Sequence, residues 1–225
     1  MNSMIWKGVD STTKKGLIIT SLPPITKPPM RVKETTIDGR DGSIIEELGY
    51  EPYDKDVKVG LTRDFDIDSI IAYFTGVGQL VMSNELDKVY DAQIIGQIDY
   101  ERLLRFRTAT VKFRVQPYKH KWGESPSGAG TVVNSGNVES KPIITMQGSG
   151  TVEVKIGDVT QFSYTFPDGE TEVVIDSEKE EAYLGNVLKN RNMTGEFLKL
   201  AVGSNEVSYT GTVTAFQLSR VSRWI

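Results

Sequence analysis

Apolar and polar side chains alternate through much of the chain, with the two-residue period of half-buried β-strands. The alternation is cleanest over residues 108–115, where Val111, Phe113 and Val115 fall on one side and Lys112 and Arg114 on the other. Residues 31–37 and 42–45 flank Asp38-Gly39-Arg40-Asp41-Gly42, whose glycines permit the positive φ angles of a tight connection. This stretch predicts a β-hairpin arm with Arg40 at its tip. Further strands are expected over 79–82 and 92–98. The period changes over 67–75, where Ile67, Ile70, Ile71 and Phe74 share one helical face, Asp66 or Asp68 can cap the first amides and Gly76 ends the turn. Gly76-Val77-Gly78 follows that short helix instead of leading into one, so it reads as a C-terminal turn and not as a phosphate-cradling loop.

Beyond Trp122 the turn signals recur about every ten residues, the spacing of a β-sandwich. Strands are expected over 142–147, 151–156, 161–166, 172–175, 206–209 and 212–217. Turns at Gly148-Ser149-Gly150, Gly157-Asp158, Pro167-Asp168-Gly169 and Gly203-Ser204-Asn205 separate most of them. Residues 123–130 hold three glycines, two serines and a proline, which reads as a flexible connection. The expected organisation is mainly β, in two domains. Residues 1–125 form an N-terminal β-rich domain with one short helix and the hairpin arm, and residues 126–225 a C-terminal galectin-like or jelly-roll β-sandwich. Pro23-Pro24 and Pro28-Pro29 mark a stiff extended loop before the hairpin.

Composition narrows the chemistry more than it narrows the fold. The 225 residues include no cysteine and one histidine, His120. Disulfide frameworks, thiol nucleophiles, cysteine-held zinc or iron–sulfur centres and any two-histidine metal site are therefore excluded. The net charge of −4 argues against whole-molecule attraction to nucleic acid or anionic lipid. Its distribution is uneven, about +1 up to Trp122 and about −5 after it. Residues 1–16 contain no apolar run of the secretory type, and the longest mostly apolar stretch, 70–82, is too short to cross a bilayer. Synthesis in the cytoplasm with no membrane association is expected, and Asn192-Met193-Thr194 then reads as a chance glycosylation match.

Candidate chemical motifs weaken on inspection. Asp64, Asp66 and Asp68 resemble the start of a calcium loop, but Ser69 stands where that loop needs glycine and Thr75 where it needs glutamate, so helix capping is the reading. His120 lies among Tyr118, Lys119, Lys121 and Trp122 without a recognisable nucleophile and reads as a surface histidine. No catalytic, cofactor-binding or metal residues are assigned. Residues 102–121 carry seven cations and no acid, read as a positively charged sheet face for a protein contact with no direct nucleic-acid binding. The acidic run 170–181 reads as a solvated face. An alternative function, recognition of host cell-wall glycan, would use exposed aromatics such as Trp122, Tyr164, Tyr183 or Trp224.

Several fragments, taken in order, resemble the distal tail proteins (Dit) of long-tailed bacterial viruses with non-contractile tails, the siphophages. In the N-terminal part they are Ile37-Asp38-Gly39-Arg40-Asp41-Gly42-Ser43 and Thr110-Val111-Lys112-Phe113-Arg114-Val115-Gln116-Pro117-Tyr118. In the C-terminal part they are Lys141-Pro142-Ile143-Ile144-Thr145-Met146-Gln147-Gly148-Ser149-Gly150, Gly195-Glu196-Phe197-Leu198-Lys199-Leu200, Val202-Gly203-Ser204-Asn205-Glu206-Val207-Ser208-Tyr209-Thr210-Gly211 and Arg223-Trp224-Ile225. The family often has Gly-Asp-Phe-Pro where this chain has Gly195-Glu196-Phe197-Leu198, and many members carry inserted sugar-binding modules for which this chain leaves little room.

The resemblance implies a non-enzymatic virion protein at the tail tip, a baseplate hub built as a homohexameric ring. One face of the ring would continue the tail tube protein and the other would hold the tail-associated or tail fibre protein, with receptor-binding protein at the periphery during host attachment. The N-terminal domain would form the ring and the C-terminal domain would lie outward. Asp38, Gly39, Arg40, Asp41 and Gly42 are the expected oligomer-interface residues, carried on the hairpin arm.

Overall fold

The computed structural model describes residues 2–225 and is mainly β. Contacts divide the chain into two compact units, one running to Trp122 and the other from Gly123 to Trp224.

In the first unit the elements in chain order are β1 (Met4–Trp6), β2 (Val9–Asp10), β3 (Leu17–Ser21), β4 (Met30–Thr36), β5 (Ser43–Tyr50), β6 (Tyr53–Leu61), α1 (Ile67–Tyr73), β7 (Val77–Met82), β8 (Glu85–Ile94), α2 (Tyr100–Phe106) and β9 (Thr108–Lys121). All strands but β4 and β5 join one antiparallel sheet in the order β2-β1-β7-β8-β9-β6-β3. Alternation on β6 and β9 turns Val57, Val59, Val111, Phe113 and Val115 into a core completed by Trp6, Leu80 and Tyr90. Trp6 meets Phe113 edge to face at 5.1 Å between ring centres. Proline is confined to edges or bulges within sheets because it cannot donate to a ladder. Pro117 obeys this rule: Val115 pairs with Ala92 and Lys119 with Tyr90, so the intervening three residues of β9 face one residue of β8.

The expected helix is present as α1. The Asp66 carboxylate accepts from Ser69 N at 3.1 Å, and Ile70, Tyr73 and Phe74 are buried. Ile71, expected on the same face, lies outward. A second helix, α2, was not anticipated. Asp99 caps it by accepting from Arg102 N at 2.7 Å, and Leu103 is its one buried residue.

The second unit contains β10 (Gly130–Asn134), β11 (Ile143–Ile156), β12 (Val159–Thr165), β13 (Glu172–Asp176), β14 (Glu181–Leu184), β15 (Val187–Leu188), β16 (Met193–Gly195) and β17 (Gly203–Ser219). The order β10-β17-β11-β13-β14-β15 forms one path, and β12 joins β11 to β16. Two expected turns are absent. Gly148-Ser149-Gly150 does not separate two strands, because β11 runs through it, and Gly203-Ser204-Asn205 opens β17 instead of preceding it.

At Gly148-Ser149-Gly150 the physical device is a bulge, whereas Gly203, Ser204 and Asn205 pair in regular register with Asn134, Val133 and Val132 of β10. Ser149 pairs with Thr212 and Glu153 with Thr210, so three residues of β11 face Gly211 alone. The first half of β11 pairs with β13 and the second half with β12, so this irregularity lets one strand serve two partners. The core between them contains Ile144, Met146, Val154, Phe162, Tyr164, Val173, Ile175, Leu198, Leu200 and Leu218. The glycine-rich stretch after Trp122 is tied into this unit. Ser127 and Leu218 exchange backbone hydrogen bonds at 2.8 and 2.7 Å, and the Glu124 carboxylate accepts from Val221 N, Ser222 N and the Ser222 hydroxyl.

Candidate assembly surface

Strands β4 and β5 pair only with each other. Every residue from 31 to 49 is exposed, including Val32, Ile37, Ile44, Ile45 and Leu48, each roughly half open to solvent. A lone two-stranded ribbon is at best marginally stable in water, because neither face is covered and its aliphatic side chains stay hydrated.

Asp38, Gly39, Arg40, Asp41 and Gly42 lie in the connection between the two strands, all exposed. Gly39 and Gly42 have φ of 80° and 83°, and Arg40 N donates to Ile37 O at 3.1 Å, closing the turn. The structure therefore places the five residues together at the tip. The larger apolar area lies along the strands behind them.

The root of the arm is held firmly. Glu51 N donates to Pro29 O at 2.8 Å, bringing the two ends of the ribbon together. The Tyr50 ring meets Tyr118 edge to face, with Lys27 over its face at 5.3 Å. The proline loop preceding the arm is pinned by Lys55 Nζ donating to Pro24 O and Asn84 Nδ2 donating to Pro23 O, both at 3.0 Å.

Lys55 belongs to a buried polar cluster that the sequence reading missed. Its ammonium lies 5.1 Å from the Tyr90 ring centre and 5.3 Å from that of Tyr53. Glu85 accepts from Lys119 Nζ at 2.9 Å and from the Tyr90 hydroxyl. Burial pulls the Lys55 ammonium down to about 8; Glu85 opposes that shift and Lys119 adds to it. Burial and the nearby Glu85 charge push the Tyr53 phenol up to about 12. The signal was present in the alternation, since Tyr53, Lys55, Val57, Val59 and Leu61 share one side of β6.

The other candidate residues separate in the structure. His120, expected at the surface, is 4% exposed, because β9 continues to Lys121 and sets His120 opposite Val89 on β8. Asp66 caps α1, whereas Asp64 pairs with Lys15 at 2.8 Å. Among the aromatics considered for sugar stacking, Tyr164 is a core residue packed edge to face on Phe166. Tyr183 and Trp224 are half-buried and Trp122 is partly exposed. The acidic run is largely occupied within its own unit: Glu170 with Lys189, Glu178 with Arg223 and Glu180 with Lys141.

The basic run divides into satisfied and unsatisfied cations. Lys112 and Arg114 share Asp54, whose carboxyl is held below its ordinary range chiefly by the Arg114 hydrogen bond. Lys119 is buried on Glu85, and Arg107 donates to Thr62 O with its guanidinium over the Phe65 ring at 4.8 Å. Arg102 and Arg105 remain exposed on α2 and take no ion-pair partner among the described residues. They line an open cleft of about 710 Å³ together with Asp99, Glu101, Phe106 and Thr108. Phe106 is 64% exposed there, and Leu104 on the same helix is 43% exposed.

No family model matches the sequence, and no curated protein matches it. A solved structure is similar over its whole length. It is the Dit protein of SPP1, described as a paradigm of hub adsorption apparatus in phages that infect Gram-positive hosts; the TM-score is 0.69 over 100% of both chains at 14% identity. At that identity the likeness establishes a shared, mainly β fold.

Proposed function

We propose that the protein is a structural, non-catalytic component of a bacterial-virus tail tip, a hub through which the tail contacts its adsorption apparatus. The likeness to the SPP1 Dit hub protein over the full length of both chains carries this reading. The exposed apolar arm supports it, because a ribbon with both faces uncovered is understandable as part of an assembly.

In this reading the first unit forms a closed homohexameric ring and the arm, with Asp38 to Gly42 at its tip, contributes to the subunit contact. A head-to-tail contact repeated around a rotation axis closes a ring and covers its own exposed surfaces. The ring joins the tail tube protein to the tail-associated or fibre protein. The second unit, with a galectin-like fold, is the docking platform for receptor-binding proteins. Light scattering on the purified chain, with negative-stain imaging, tests the reading: six copies of the 25.0 kDa chain give a mass of about 150 kDa and ring-shaped particles. A monomer at high concentration that forms no rings with tail partners would sink it.

A further inference from the structure

The two sides of the arm differ in a way that the ring reading alone does not explain. Opposite residues in an antiparallel pair project to the same side. On one side Lys33 faces Glu46, and the two form an ion pair at 3.5 Å beside Thr35 and Ile44. On the other side Val32 faces Glu47 and Glu34 faces Ile45, a two-by-two checkerboard of aliphatic groups and carboxylates. Neither Glu34 nor Glu47 has an ion-pair partner among the described residues. Their diagonal separation, about 7–8 Å, leaves two like charges side by side.

The α2 cleft supplies cations, with Asp99 and Glu101 also in its lining; the Asp99 carboxylate is taken up as the helix cap, accepting from Arg102 N at 2.7 Å. Arg102 and Arg105 stand three residues apart on α2, hence on neighbouring positions of one helical face, with the exposed Phe106 ring beside the Arg105 guanidinium at 5.5 Å. The Arg102 and Arg105 guanidiniums, which take no ion-pair partner among the described residues, are counter-charges for Glu34 and Glu47, and the uncovered Phe106 ring is an apolar partner for Val32 and Ile45.

We propose that the α2 cleft of one copy receives the Val32, Glu34, Ile45 and Glu47 side of the arm of a second copy. The inference rests on the reading that the chain self-assembles through its arm, and it names the receiving surface. Because the donor and receiving surfaces are different, the contact is head-to-tail and propagates from copy to copy until the rotation closes. The Lys33–Glu46 side, already neutral within the chain, is left free of this contact.

The absence of native cysteine makes the test clean. Ile45→Cys and Phe106→Cys are prepared as separate full-length proteins; both positions are exposed, so folding is not at stake. Mixed and oxidised, they are expected to yield a two-chain species that neither gives alone, and the double variant a ladder ending in a closed ring. In parallel, Arg105→Glu weakens self-association by about tenfold or more, and adding Glu47→Arg to the same chain restores it. A multi-copy wild-type mass with no mixed cross-link and no charge-swap rescue overturns the α2 assignment while leaving the ring standing. A monomeric wild type with no cross-link overturns both.

Discussion

Lys119 donates to Glu85 between β9 and β8 at 2.9 Å, with the two side chains only 6% and 11% exposed. Glu85 also accepts from the Tyr90 hydroxyl, and the Lys55 ammonium lies over the same tyrosine ring. One carboxylate thus compensates two buried cations close to the root of the arm. Removing one member of a buried ion pair leaves an uncompensated charge, which costs about 3–5 kcal/mol. Glu85→Gln should lower stability by that amount in urea denaturation followed by tryptophan fluorescence. Glu85→Leu combined with Lys119→Met should cost much less, because both charges leave together. Equal losses in the two variants would show that the pair is not the stabilising unit.

Lys55 gives the cluster a pH signature. The folded chain releases the Lys55 proton near pH 8, whereas the unfolded chain holds it to the ordinary lysine value of 10.5. Between those values the unfolded state binds more protons, so this group makes stability rise with pH. Tyr53 acts in the opposite sense higher up: its folded phenol titrates at about 12 against 10.0 unfolded, so its contribution falls as pH passes 10. The expected profile climbs from pH 8 and turns over near pH 10. Lys55→Met should remove the climb and, at pH 7, remove the cost of the buried charge. Urea midpoints at pH 7, 8, 9 and 10 decide it, and parallel profiles for the two proteins would contradict the assignment.

How far the sequence revealed this architecture depended on whether a signal had one meaning or two. The hairpin was legible because Asp38-Gly39-Arg40-Asp41-Gly42 sits between alternating runs, and that pattern has few other readings. The α1 cap at Asp66 was legible for the same reason. Gly148-Ser149-Gly150 was not, since glycine clusters serve turns and bulges alike, and only the pairing of β11 with β17 selects the bulge. Helix α2 buries Leu103 alone, too little to show a helical period, and its arginines merged with those of β9 into one apparent basic strand. Lys55 and Lys119 occupy core-facing positions of β6 and β9, but their charge argued against burial, and Glu85 lies 30 residues from one and 34 from the other in sequence.

The bulge makes its own prediction. A Cβ on Gly148 would stand 2.3 Å from Thr212 O, and one on Gly211, where φ is 105°, would stand 2.5 Å from Thr151 O. Backbone cannot yield as a flexible side chain does, so Gly148→Ala and Gly211→Ala should each destabilise the second unit by more than about 2 kcal/mol. Gly150 has a positive φ with open space around it, so Gly150→Ala should cost only about 1 kcal/mol. Thermal melts of the three variants test this ordering.

Glu124 should govern protease access to the segment joining the units. Its carboxylate accepts three hydrogen bonds from Val221 and Ser222, and Ser127 is paired on Leu218. Wild type is therefore expected to resist cleavage between Ser125 and Gly130 despite the glycine-rich composition. Glu124→Ala frees one end of that segment and should increase the cleavage rate there several-fold in limited proteolysis. Rapid cutting of wild type at these residues would show that the carboxylate clamp does not hold.

The arm should be dispensable for folding and required for assembly. No residue from 31 to 49 enters the hydrophobic core of the first unit, so removing the ribbon deletes exposed surface and little packing. Its ends already meet, Glu51 N donating to Pro29 O at 2.8 Å, so a short glycine connection can replace it without moving β6. Tyr50 is kept in that design, since its ring packs on Tyr118 at the root. The shortened chain should retain a cooperative urea transition within about 1 kcal/mol of wild type, because the lost hairpin is itself marginal. Its solution mass should fall to that of a single chain. A multi-copy mass after deletion would remove the arm from the subunit contact. A lost unfolding transition would instead make the arm part of the fold, against the exposure of every residue along it.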